Sequence, residues 1–81
     1  MFVELVYDKR NFAELPGANE RILAELEKRI HTIFPAAEVR VKPVPGNSTI
    51  NTDATKNQKA KISEAIEEMF DDAPMWLTDE F

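Results

Sequence analysis

Between Ile62 and Ala73 the apolar residues fall at Ile62, Ala65, Ile66, Met69, Phe70 and Ala73, and Pro74 follows at once. That spacing of three and four is one stripe of an α-helix, and a stripe of this kind has to be buried against a second layer. Thr55 is a good N-cap, and Gln58 three residues later completes a capping box. Pro74 pushes the preceding residue out of the helical region, so the helix is expected to close near Asp72 or Ala73. With 81 residues there is room for one domain, residues 1–81, and one modest core.

The opposite side of the same helix is acidic. At 100° per residue, Glu64, Glu67, Glu68 and Asp71 fall roughly opposite the apolar stripe. Residues 62–81 hold seven acids and no Lys or Arg, whereas residues 1–61 hold eight acids against ten Lys and Arg. The net charge of −5 therefore comes from one segment. The order is also unfavourable to the helix itself. Lys56, Lys59 and Lys61 sit toward the positive end of the macrodipole and the acids toward the negative end. Glu64–Glu68, Glu67–Asp71 and Glu68–Asp72 are like-charge i, i+4 pairs, which together cost about 1 kcal/mol before screening. Two readings are open on these residues alone: a solvated, solubilising face, which composition slightly favours, and a contact surface for a basic partner.

The rest of the chain supplies the second layer. Phe2 to Tyr7 alternates as a strand, with Val3, Leu5 and Tyr7 on one face and Phe2, Glu4 and Val6 on the other. That second face is more apolar than solvent requires; partial cover, a dimer contact and scattered surface apolar residues are the open explanations, the last being the commonest. Asp8 to Gly17 reads as a loop that Phe12 and Leu15 pin to the core. Ala18 to Phe34 carries a second helical stripe of Ile22, Leu23, Leu26, Ile30, Ile33 and Phe34, ended by Pro35. Its charges follow the favourable order, Glu20 early and Lys28 and Arg29 late. His31 lies on its polar side as a surface residue.

Glu38 to Val44 is a strand with Val39 and Val41 inward and Glu38, Arg40 and Lys42 outward, and Pro43 and Pro45 place it at an edge. Pro45-Gly46-Asn47 is a turn into a short third strand, Ser48 to Thr52, with Ile50 as its core residue. The order is β-α-β-β-α. The first two strands are expected to pair in parallel, and the second and third as an antiparallel hairpin. The fold class is α+β: a two-layer sandwich with a three-stranded mixed sheet and both helices on one face.

Chemistry is conspicuous by what the sequence lacks. No nucleophile elbow or triad spacing is present, no Gly-rich phosphate loop, and no calcium-loop pattern. There is no cysteine, hence no disulfide framework or thiolate metal site. The expectation is a non-enzyme without a cofactor. A pI near 4.8 argues against direct nucleic-acid binding. No apolar run reaches the roughly 18–20 residues of a membrane span, and MFVELVYDKR lacks the marks of a secretory signal, so a cytoplasmic monomer is expected. Trp76 after the second helix reads as a cap on the core or as an interface anchor.

Several stretches taken together resemble one family. They are the opening MFVELVYDKRN, the Lys28-Arg29-Ile30 that leads into Phe34-Pro35, and Ala54-Thr55-Lys56. Ile62-Ser63-Glu64, Glu67-Glu68-Met69-Phe70 and Met75-Trp76-Leu77 complete the set. In order and spacing they look like the DinI family of bacterial DNA-damage-inducible regulators, and especially its MsgA-type, virulence-associated members. The resemblance implies a regulator that binds the RecA nucleoprotein filament through an acidic, DNA-mimicking helix and modulates the SOS response. Carried over, that contact falls on Glu64, Glu67, Glu68, Asp71 and Asp72, with Trp76 beside them. Where the family commonly has a further acid before the final aromatic, this chain has Ala73-Pro74-Met75, which implies a shorter acidic ridge. The alternative is a virulence or stress adaptor for a different basic protein. With the resemblance in view, the acidic face reads as an interaction surface.

Overall fold

The computed structural model describes residues 1–12 and 17–77. Strand β1 (Phe2–Asp8) leads through a 3-10 turn (Lys9–Phe12) to helix α1 (Ala18–Ile33). Strands β2 (Glu38–Val44) and β3 (Thr49–Thr52) follow, then helix α2 (Lys56–Asp71) and a last helical turn, α3 (Ala73–Trp76). The β-α-β-β-α order and the mixed three-stranded sheet are as the sequence predicts; the 3-10 turn and α3 add to it.

The strand order is β2-β1-β3. β1 pairs with β2 in parallel, from Phe2 opposite Glu38 to Asp8 opposite Val44. Its other edge pairs antiparallel with β3, from Val3 opposite Thr52 to Val6 opposite Thr49. This corrects the expected β2–β3 hairpin: those two strands flank β1 and do not touch as neighbours. The reason is that β1 is the strand with most to bury. Val3, Leu5, Val6 and Tyr7 are all buried, whereas no residue of β2 or β3 is. Placing β1 in the middle covers both its edges. The chain from Val44 to Thr49 then passes the end of β1, where the Asp8 carboxylate accepts the Arg10 backbone N–H at 3.0 Å. Asp8 also accepts the Arg10 guanidinium at 2.9 and 3.0 Å, and chiefly for that reason its pKa falls to about 2.

One face of the sheet carries both helices. Val3, Leu5 and Tyr7 meet Ile22, Leu26 and Ile30 of α1 and Ile62, Ile66 and Met69 of α2 in a single buried cluster. Each such side chain contributes about 1.5–3 kcal/mol by leaving water. The Tyr7 hydroxyl donates to Asn19 Oδ1 at 2.8 Å, tying the end of β1 to the start of α1. Phe12 stands edge-on to Tyr7, at 5.6 Å between ring centres, so its expected anchoring role holds. Leu15, its expected companion, lies outside the described residues.

The other face of the sheet is open, but its apolar residues are partly covered from within. The Arg40 guanidinium lies over the Phe2 ring at 5.6 Å, and Val6 is flanked in register by Lys42 and Thr49. Asn51 donates to Glu4 across the strands at 3.1 Å. His31 lies on the exposed side of α1, and its ring N–H donates to the Ala37 carbonyl at 2.8 Å.

Candidate functional site

α2 is held at its start by the predicted capping box. Thr55 Oγ1 accepts the Gln58 N–H at 3.3 Å, and the Gln58 side chain accepts the Thr55 N–H at 3.0 Å. Ile62, Ile66 and Met69 are buried, and Ala65 and Phe70 pack at the margin of the core. The helix cannot roll about its axis without exposing this stripe. The acids opposite it are thereby fixed in direction.

Glu64, Glu67, Glu68 and Asp71 are all exposed. Among the described residues no Lys or Arg makes an ion pair with any of them. α2 has no acid in its first turn and no base in its last, as the sequence predicts. The row is therefore a free block of negative charge on a rigid element.

Asp72 differs from its neighbours. Its carboxylate lies 3.2 Å from the Arg29 guanidinium, which also holds Glu25 at 2.8 Å. Arg29 thus ties the end of α2 to α1, with the Asp72 side chain still 49% exposed. This tie was not legible in the sequence. The Glu25–Arg29 half has helical i, i+4 spacing, but the Asp72 half depends on how the two helices pack.

Trp76 closes the helix. Its indole N–H donates to the Met69 carbonyl at 2.7 Å, one of the terminal carbonyls that the helix leaves without a backbone partner. Its ring lies 6.4 Å from Phe70, which stacks on Phe12 at 6.2 Å. Tyr7, Phe12, Phe70 and Trp76 therefore form a run of rings from the central strand to α3. Trp76 stays partly exposed. Of its sequence neighbours Leu77 is buried, while Met75 is 83% exposed and packs on nothing in the core.

Among the described residues no three His, Asp or Glu side chains gather into a metal site. No helix among them is long and apolar enough to cross a membrane.

The family model described as the DinI-like family matches residues 16–77. Over 80 residues the chain is 56% identical to virulence protein MsgA of Salmonella typhimurium, covering 99% of this chain and all of MsgA. It is 35% identical over 66 residues to DNA damage-inducible protein I of Escherichia coli (strain K12), covering 79% of this chain and 82% of that one. With DNA damage-inducible protein I of Serratia marcescens it shares 33% identity over 81 residues, covering 99% and 100% of the two chains. The chain belongs to the DinI-like family.

Proposed function

We propose that this chain is a non-enzymatic regulator in the DNA-damage response that docks on the RecA nucleoprotein filament through α2. The observation that carries this reading is the free acidic row, Glu64, Glu67, Glu68 and Asp71, on a helix held in place by its buried opposite side. At a rise of about 1.5 Å per residue, these four charges span about 10 Å, or one charge per about 3.5 Å. Each strand of duplex DNA carries one phosphate per about 3.4 Å of helix axis. A surface that binds a DNA backbone would meet a charge density of the same order on α2. Asp72 adds a fifth carboxylate at the end of the row, and Trp76 lies beside it. Relatives named for DNA-damage induction support the response.

A second reading has its own support. The 56% identity to a protein named for virulence covers nearly the whole chain, and in that reading the acidic row serves a different basic protein partner.

A pull-down with RecA filaments assembled on single-stranded DNA separates the two. Retention of the chain at moderate salt supports the RecA reading, and no retention at low salt sinks it. The acidic row repels nucleic acid, so no direct binding is expected. A gel shift at micromolar single-stranded DNA would count against mimicry and turn attention to Arg40 and Lys42 on the open sheet face.

A further inference from the structure

We propose that the free edge of β3, with the groove beside it, receives an extended peptide segment by strand addition, and that this segment is basic at one end. Among the described residues β3 is the outermost strand on its side of the sheet. In such a strand, alternate residues turn their N–H and C=O groups away from the paired neighbour. The two sheet edges are not alike. β2 carries Pro43, which has no N–H to give, together with the exposed charges Glu38, Arg40 and Lys42. These are the usual devices against strand addition. β3 reads Thr49-Ile50-Asn51-Thr52, with no proline and no charge, and only its length of four residues limits what can pair with it.

A groove of about 260 Å³ runs along this edge, lined by Leu5, Ser48, Thr49, Ile50, Ile66 and Phe70. An added strand would lay alternate apolar side chains toward it. The charges around the groove are sorted by end. Phe70 lines the groove with Ser48 and Thr49, and at 100° per residue Glu67 and Asp71 follow Phe70 round α2 on that same side. Glu68 instead turns toward α1, where it lines hollows with Ile33 and Ala65. Lys56 and Lys59 lie at the other end, because α2 begins just after β3 ends. The occupant that fits is an extended apolar-alternating segment whose cations lie beside Ser48.

The test titrates isotopically labelled protein with a blocked peptide of alternating valine and threonine carrying two arginines at one end, read by NMR. Amide shifts over residues 48–52, with cross-strand contacts to Thr49–Thr52, are expected. A peptide with glutamates in place of the arginines is expected to bind several-fold more weakly. Ser48→Arg, at an exposed position, should weaken the arginine peptide by roughly threefold. Shifts confined to Glu64–Asp71 would mean charge adsorption on the acidic row and overturn the proposal. No shift at millimolar peptide would overturn it too. Shifts that depend on protein concentration without peptide would assign the edge to a second copy of the chain instead. The assay contains no RecA, so its failure leaves the filament reading standing.

Discussion

The two long helices make a controlled comparison. α1 and α2 are each 16 residues, lie on the same face of the sheet and bury a stripe in the same core, Ile22, Leu26 and Ile30 on one and Ile62, Ile66 and Met69 on the other. Their charges are arranged in opposite ways. α1 has Glu20 in its first turn and an internal Glu25–Arg29 ion pair, so its charges serve the helix and its neighbour. α2 has no acid in the first turn, no base in the last, and between them a row of acids that no Lys or Arg pairs with among the described residues. Its ends are correspondingly better closed. α1 begins on Gly17 with no side-chain cap, whereas α2 has the Thr55–Gln58 box at one end and the Trp76 indole at the other. α2 is stabilised by its buried side and its ends, which leaves its outer face free for another use.

The largest test of that comparison asks whether the buried sides are equivalent. Ile22→Ala in α1 and Ile62→Ala in α2 each empty a fully buried position. Both are expected to cost about 2–5 kcal/mol, within about 1 kcal/mol of each other, by urea unfolding. A much smaller loss at Ile62 would show that α2 is a loosely held arm. Next comes Trp76→Ala. A fully buried aromatic costs about 3–5 kcal/mol to truncate. Trp76 is only partly covered, and the substitution also releases the Met69 carbonyl, so about 2 kcal/mol is expected. Circular dichroism must report it, because the chain has no other tryptophan. No loss of stability with a loss of partner binding would move Trp76 from helix closure to the interface.

Thr55→Ala removes the cap and should cost about 1 kcal/mol. That is the size of the like-charge repulsion along α2, about 1 kcal/mol for three i, i+4 pairs. The cap and the acidic row therefore nearly offset. Raising the salt screens the repulsion, so the Thr55→Ala variant should recover part of its loss in thermal melts at high ionic strength. Unchanged melting temperature across the salt range would mean that the row costs the helix nothing.

What the sequence made legible follows from where the determinants lie. The core of each helical stripe, the capping box and the outward Arg40 and Lys42 are local patterns that the structure keeps, whereas Ile33, expected in the α1 stripe, is 36% exposed near the helix end. The β2–β3 hairpin expectation failed because Pro45-Gly46-Asn47 marks a reversal without saying which strand receives it. Pairing was decided by β1, whose buried Val3, Leu5, Val6 and Tyr7 take the central place. The apolar excess on Phe2 and Val6 was visible in the sequence, yet the cover of Phe2 by Arg40 and the flanking of Val6 by Lys42 and Thr49 need the sheet register. The acidic row was readable as a row, because burial of one helix side fixes the other. Arg29's hold on Asp72 spans 43 residues and rests on helix packing, so no local pattern carried it.

The smallest expected change in stability comes from the variant with the sharpest consequence for function, Glu67→Lys combined with Asp71→Lys. Both positions are exposed and lie away from Ile62, Ile66 and Met69, so the core is untouched. The substitutions turn Glu64–Glu67 and Glu68–Asp71 from repulsive i, i+3 pairs into attractive ones. They exchange one like-charge pair, Glu67–Asp71, for another of the opposite sign, and leave Glu64–Glu68 as it is. They also bring cations nearer the negative end of the helix dipole. The sum favours the variant by some tenths of a kcal/mol, so its melt should match the parent's or lie slightly above it. A basic partner surface would now face two positive charges in place of two negative ones, and filament binding should collapse. Thermal melts and a filament titration on the same protein read both effects. Retained stability with unchanged binding would return the row to a solvated face, and the contrast between α1 and α2 would then carry no functional meaning.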